Sequence, residues 1–143
     1  MKQKDKSYSS NIRSPGTSLL QDLLEIMARL RDPIAGCPWD REQSFATLRR
    51  YVLEEACEVI DAIDGGDRNA LREELGDLLL QIVFHAQLAS ELKEFGMGDV
   101  CQAIADKIER RHPHVFGAQV VKGSVQVLEN WARLKADERK AKT

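Results

Sequence analysis

Glu55 and Glu58 form one Glu-x-x-Glu pair, and Glu74 and Asp77 form a Glu-x-x-Asp pair. Residues three apart share a helix face, so each pair projects two carboxylates together. Both pairs lie in apolar runs of helical period. Leu48, Val52, Glu55, Val59 and Ala62 mark the first, and Leu71, Leu75, Leu78, Ile82 and Ala86 pass beside the second. That pattern predicts that the acidic faces turn inward. An ionised carboxylate withdrawn from water is costly unless it is paired or bound to metal. A hard divalent cation resolves the conflict: oxygen ligands suit Mg²⁺, with Mn²⁺ as a substitute. Such a centre points to phosphate chemistry, in which metals neutralise phosphate oxygens and activate a water. Glu54 is a fifth acid, turned about 100° from Glu55 on a helix. It completes the metal shell, acts as a general base, or is a solvated surface residue. The competing account of the acids is a charged helix face paired with Arg49, Arg50, Arg68 and Arg72. Two pairs mirrored about one tight turn are more specific than that account requires.

A phosphate site also needs cations. Lys107 and Arg111 are four apart, and Trp131 and Lys135 repeat the spacing further along the chain. If both faces meet the acidic pocket, the three cations can hold phosphate oxygens. Trp131 then stacks on a base or packs in the core. Exposed Lys and Arg at this spacing are ordinary, so spacing alone leaves their role open. Glu109-x-x-His112 has the form of half a di-iron bundle motif. It occurs once, with Pro113 directly after it, and is set aside. His85 reads as a packed histidine, and His112 and His114 as helix-stop and loop residues.

These residues need helices to position them, and the chain supplies five helical patterns. The first runs from an N-cap at Ser18 through Leu30 and stops before Pro33. A breaker-rich loop, Asp32 to Asp40, holds Trp39. The second helix spans roughly 44–64 and ends at Gly65-Gly66. Asp67 caps the third, which continues to about Phe95 before Gly96. The fourth covers about 99–111 and the fifth 125–140. Residues 1–17 lack periodicity and are expected to be a disordered tail. Only Val120-Val121 hints at a strand. The expected class is all-α, a four- to five-helix bundle in one domain over 18–140. The Gly-Gly connection makes the second and third helices an antiparallel central pair with the acids at matching levels.

The 143 residues are 43% hydrophobic and 31% charged, as expected of one soluble globular domain. A net charge of −2 gives no reason to expect nucleic acid. No apolar run approaches the roughly 18 residues of a membrane span. No hydrophobic segment follows the N-terminal lysines, so a secretory signal is not expected and a cytoplasmic location follows by default. Cys37, Cys57 and Cys101 form no metal or disulfide pattern. Cys57 and Cys101 are expected as small core residues, with Cys37 left open in its loop.

The run Glu54-Glu55-Ala56-Cys57-Glu58 with Glu74-Leu75-Gly76-Asp77 resembles the signature of MazG-type nucleoside triphosphate pyrophosphohydrolases. Gly36-Cys37-Pro38-Trp39-Asp40, Gln43, and the stretch from Asp106 to Phe116 extend the likeness over about residues 19–140. The resemblance implies an all-α fold acting as a homodimer or higher oligomer. It also implies Mg²⁺-dependent cleavage of a triphosphate to monophosphate and pyrophosphate, a metal-activated water attacking the α-phosphorus. By motif position Glu55, Glu58, Glu74 and Asp77 become metal ligands, with Glu54 beside them in the catalytic set. Lys107, Arg111, Trp131 and Lys135 match nucleotide-contacting positions. Trp39 lines a base pocket or pins its loop. Larger members carry two such domains in tandem, not always both active; this one looks most like the first, and its acidic signature is complete. The rivals are a relative specialised for one substrate, such as dUTP or phosphoribosyl-ATP, and a non-catalytic metal-nucleotide-binding dimerisation module.

Overall fold

The computed structural model describes residues 19–143. The expected N-terminal tail and the Ser18 cap lie outside the described residues. Seven helices follow in order: α1 (Leu19–Leu30), α2 (Pro38–Arg41), α3 (Phe45–Gly65), α4 (Arg68–Glu91), α5 (Met97–Arg111), α6 (Pro113–Phe116) and α7 (Ser124–Ala141). There is no strand among the described residues, and Val120-Val121 is irregular. The all-α class is therefore correct. The chain divides into two compact units, one ending at Gly96 and the other running from Met97 to Thr143.

In the first unit α3 and α4 pair along their length, and α1 packs on α4. Local chemistry sets the hairpin. Ser44 caps α3 through a reciprocal box in which Thr47 supplies both its N–H and its hydroxyl. Gly66 closes α3 with a left-handed φ of 72°, a conformation that costs little only without a Cβ. Asp67 then accepts the backbone N–H groups of Asn69 and Ala70 to start α4. Met27, Leu48, Val83, Phe84 and Leu88 form the core, with Leu20, Leu23, Leu24, Leu30, Tyr51 and Leu80 packed against it.

The expected inward stripes are only partly buried. Leu48, Ala62 and Ala86 are covered, but Val52, Leu75 and Ile82 are exposed. Within this unit α1 shields one end of the hairpin, where the core lies, and leaves the acidic stretch uncapped. Cys57 and Cys101 are exposed, against expectation. Cys57 follows Leu48 by nine residues, half a turn round the helix from that buried position. Cys101 lies on α5, which buries no residue.

Two four-residue helices were not expected. Pro38 and Pro113 occupy the first turns of α2 and α6. There the missing N–H is no loss, and the fixed φ favours starting a helix rather than stopping one. At its other end α4 stops at Glu91, short of the expected Phe95. Lys93 adopts a φ of 59° and turns the chain before Gly96 is reached.

In the second unit α5 contacts both α6 and α7. Asn130 is its only buried residue. Arg110 and Arg111 both bond Glu138 and tie α5 to α7.

Candidate functional site

The hairpin places Glu55, Glu74 and Asp77 so that one oxygen of each lies within 4.8 Å of the others. Glu55 and Glu74 are half-buried, and Asp77 is exposed. Desolvation, then the charges of Asp77, Glu58 and Glu54, raises the Glu55 carboxyl above its ordinary range. Glu74 is raised as well, by desolvation first, then by Glu58, Asp77 and Glu55, and last by a hydrogen bond to Asp77. No ion pair relieves this repulsion: among the described residues Arg49, Arg50, Arg68 and Arg72 bridge none of these acids. An all-oxygen donor set under mutual repulsion fits a hard divalent cation.

The other two sequence-predicted acids are placed differently. Glu58 acts on the cluster through its charge but stands outside the close trio, and its side chain is exposed. Glu54 is exposed too, one helical turn from Arg50, whose charge it supports. The four-carboxylate centre expected at matching levels is thus three converging oxygens with Glu58 and Glu54 at the margin.

In the second unit Lys107, Arg111, Trp131 and Lys135 line one cavity of about 160 Å³ together with Ile104, Ile108 and His112. The i,i+4 spacing brings each pair onto one face, and the α5–α7 packing turns the faces together. The Trp131 indole N–H donates to the Arg111 carbonyl at 2.7 Å.

Two side chains at or near this cavity have roles that the sequence reading did not assign to them. Glu138 grips Arg111, and that contact holds its carboxyl down at about 2. Glu138 is three residues from Lys135 on α7, so helical spacing already placed it near the cationic face. His112 is a cap and cavity residue: its Nδ1 meets the Ile108 carbonyl at 2.6 Å, and its ring stands edge-on to Trp131 at 5.0 Å.

Trp39 belongs to the first unit. It packs edge-on against Tyr51 at 5.8 Å and Phe84 at 6.5 Å, which pins α2 to the core while half its surface stays exposed. Arg31 does more for that loop than any residue the sequence suggested. Its Nη1 donates to the carbonyls of Asp40, Arg41 and Gln43.

An antiparallel helical hairpin carrying three converging carboxylates defines a class of all-α domain with an all-oxygen donor set on its paired helices. The chain belongs to the MazG nucleotide pyrophosphohydrolase domain family, whose profile matches residues 43–116. It is 56% identical over 120 residues to the nucleoside triphosphate pyrophosphohydrolase of Escherichia coli strain K12, covering 84% of this chain and 46% of that protein. A nucleoside triphosphate pyrophosphohydrolase/pyrophosphatase MazG from Thermotoga maritima is 50% identical over 99 residues, which cover 69% of this chain and 38% of the relative. The chain spans between about a quarter and a half of the length of the curated relatives it matches. The crystal structure of a mazG-related protein from Thermotoga maritima superposes with a TM-score of 0.66 at 29% identity, covering 81% of this chain and 98% of that one.

Proposed function

We propose that this domain hydrolyses nucleoside triphosphates to the monophosphate and pyrophosphate with Mg²⁺, Mn²⁺ serving as a substitute. The observation that carries the reading is the convergence of Glu55, Glu74 and Asp77 in a chain of this family. Those three carboxylates would hold the metal, with Glu58 adding charge at the margin. A bound divalent cation would neutralise phosphate oxygens and acidify a nearby water. Glu54, exposed beside the cluster, would take the proton of a water attacking the α-phosphorus. Within the second unit Lys107, Arg111 and Lys135 would offer cations to phosphate oxygens and Trp131 an aromatic face to a base. In the first unit half-exposed Trp39 is a candidate aromatic surface of its own. No described helix is long and apolar enough to cross a membrane.

A homodimer belongs to the same proposal. Leu53, Ile60 and Ile63 on α3 and Leu75, Leu79 and Ile82 on α4 are all exposed. A second copy laid on this hairpin would cover them and withdraw the acids from water, as their sequence context demands.

Pyrophosphate release from canonical and modified triphosphates with Mg²⁺ tests the reading. Activity should vanish with chelator and fall in Glu58→Gln with helical content intact. Binding of metal nucleotide without turnover would assign the domain to the non-catalytic alternative.

A further inference from the structure

We propose that Glu138 is a positioning residue that presents one edge of the Arg111 guanidinium to a phosphate-bearing ligand; the inference rests on the nucleotide reading above. Glu138 Oε2 accepts from Arg111 Nη2 at 2.7 Å, and Oε1 accepts from Arg111 Nε at 3.4 Å. This side-on grip occupies the Nε edge and leaves Nη1 without a hydrogen bond among the described residues. The Arg111 side chain is 24% exposed and lines the cavity shared with Lys107, Trp131 and Lys135. The Trp131 indole holds the Arg111 carbonyl from the other helix. Backbone and guanidinium are therefore both fixed before any ligand arrives. A long flexible side chain loses less entropy on binding when it is already held in place.

A counter-ion that the ligand must displace would behave in the opposite way. The geometry argues against that role. Arg110 Nε binds Oε1 of Glu138 at 2.9 Å, so the carboxylate is anchored on a second cation and does not depend on Arg111 alone. The same two guanidinium groups keep Glu138 ionised at any working pH. The sequence offers no Glu-Arg pattern for this, because the partners are 27 and 28 residues apart.

The test is calorimetric binding of tripolyphosphate to the metal-free protein, compared among the wild type, Glu138→Gln, Arg111→Ala and the double variant. Glu138→Gln should weaken binding about five- to tenfold. The same change in the Arg111→Ala background should have no further effect, because the role of Glu138 runs through Arg111. With Mg²⁺ and a triphosphate, KM should rise in Glu138→Gln while kcat stays near wild type, a split that general loss of fold would not produce. Unchanged or tighter tripolyphosphate binding in Glu138→Gln overturns the inference, as does a wild type that binds no tripolyphosphate. Wild-type tripolyphosphate binding without triphosphate turnover would instead overturn the enzyme reading, and the four-variant comparison would still decide this one.

Discussion

Arg31 and Glu91, sixty residues apart, face each other side-on: Nε meets Oε2 at 3.0 Å and Nη2 meets Oε1 at 2.8 Å. The remaining nitrogen of Arg31 gathers three carbonyls at the end of α2. One half-buried guanidinium thus joins the end of α1, the α2 loop and the end of α4. Arg31→Ala strands those carbonyls as well as the carboxylate, and should cost about 2 kcal/mol in urea unfolding. Arg31→Lys should recover little of it, since an ammonium cannot reproduce the fork.

Removing charge from the acid trio should separate stability from activity. Glu74→Gln relieves like-charge repulsion, so the metal-free protein should melt at a higher temperature than the wild type. Under the proposed function its Mg²⁺-dependent pyrophosphate release should fall about a hundredfold or more. A lower metal-free melting temperature would show that the carboxylate is stabilised there by something other than a cation.

The pH dependence carries two opposite signs. Glu55 and Glu74 titrate above 4.5 in the folded chain. Their effect is therefore least destabilising below that value, and stability is lost as pH rises through the raised folded values. Glu138 titrates at about 2 against an ordinary 4.5. Its stabilisation is present above 4.5 and is lost as pH falls toward 2. Urea midpoints of the metal-free protein should thus decline on the alkaline side of 4.5 for the first reason, and Glu55→Gln should flatten that decline. Glu138→Gln should flatten only the acid limb.

Gly66 and Gly36 should both resist substitution, for different reasons. Gly66→Ala forces a Cβ into left-handed backbone with open space around it, and should cost about 1 kcal/mol. At Gly36 a Cβ would run into the backbone carbonyls of Leu30 and Asp32 and the Asp32 nitrogen. The loop cannot yield there, because Asp32 already caps Ile34 and Ala35 and the Leu30 carbonyl accepts from Cys37. Gly36→Ala should therefore be the more damaging of the two in thermal unfolding.

The hairpin and its acids were legible because three local signals agreed: helical period, the Gly65-Gly66 stop and the Asp67 start. Convergence of Glu55 with Glu74 and Asp77 followed from antiparallel pairing. What sequence could not show was depth. Val52, Leu75 and Ile82 look like core by pattern, yet a stripe is buried only where another element covers it. Cys57 illustrates the same point, since being apolar says nothing about which side of the helix it occupies. The short helices at Pro38 and Pro113 were hidden because proline signals a helix start as readily as a stop. Arg31–Glu91 and Arg111–Glu138 were invisible for a plainer reason: partners 60 and 27 residues apart leave no periodic trace.

The second unit, in which Glu138 and Trp131 join α5 to α7 by polar contacts without a buried apolar side chain, has a kinetic consequence. Elements with few buried apolar contacts open at low free energy while the rest of the fold stays closed. Amide protons of α5 and α7 should exchange with deuterium well before those of α4 around Val83 and Ala89. Added salt should quicken that exchange by screening Glu138 from its two arginines. A phosphate ligand in the cavity should slow it, so that ligand arrival and local ordering of this unit become a single event.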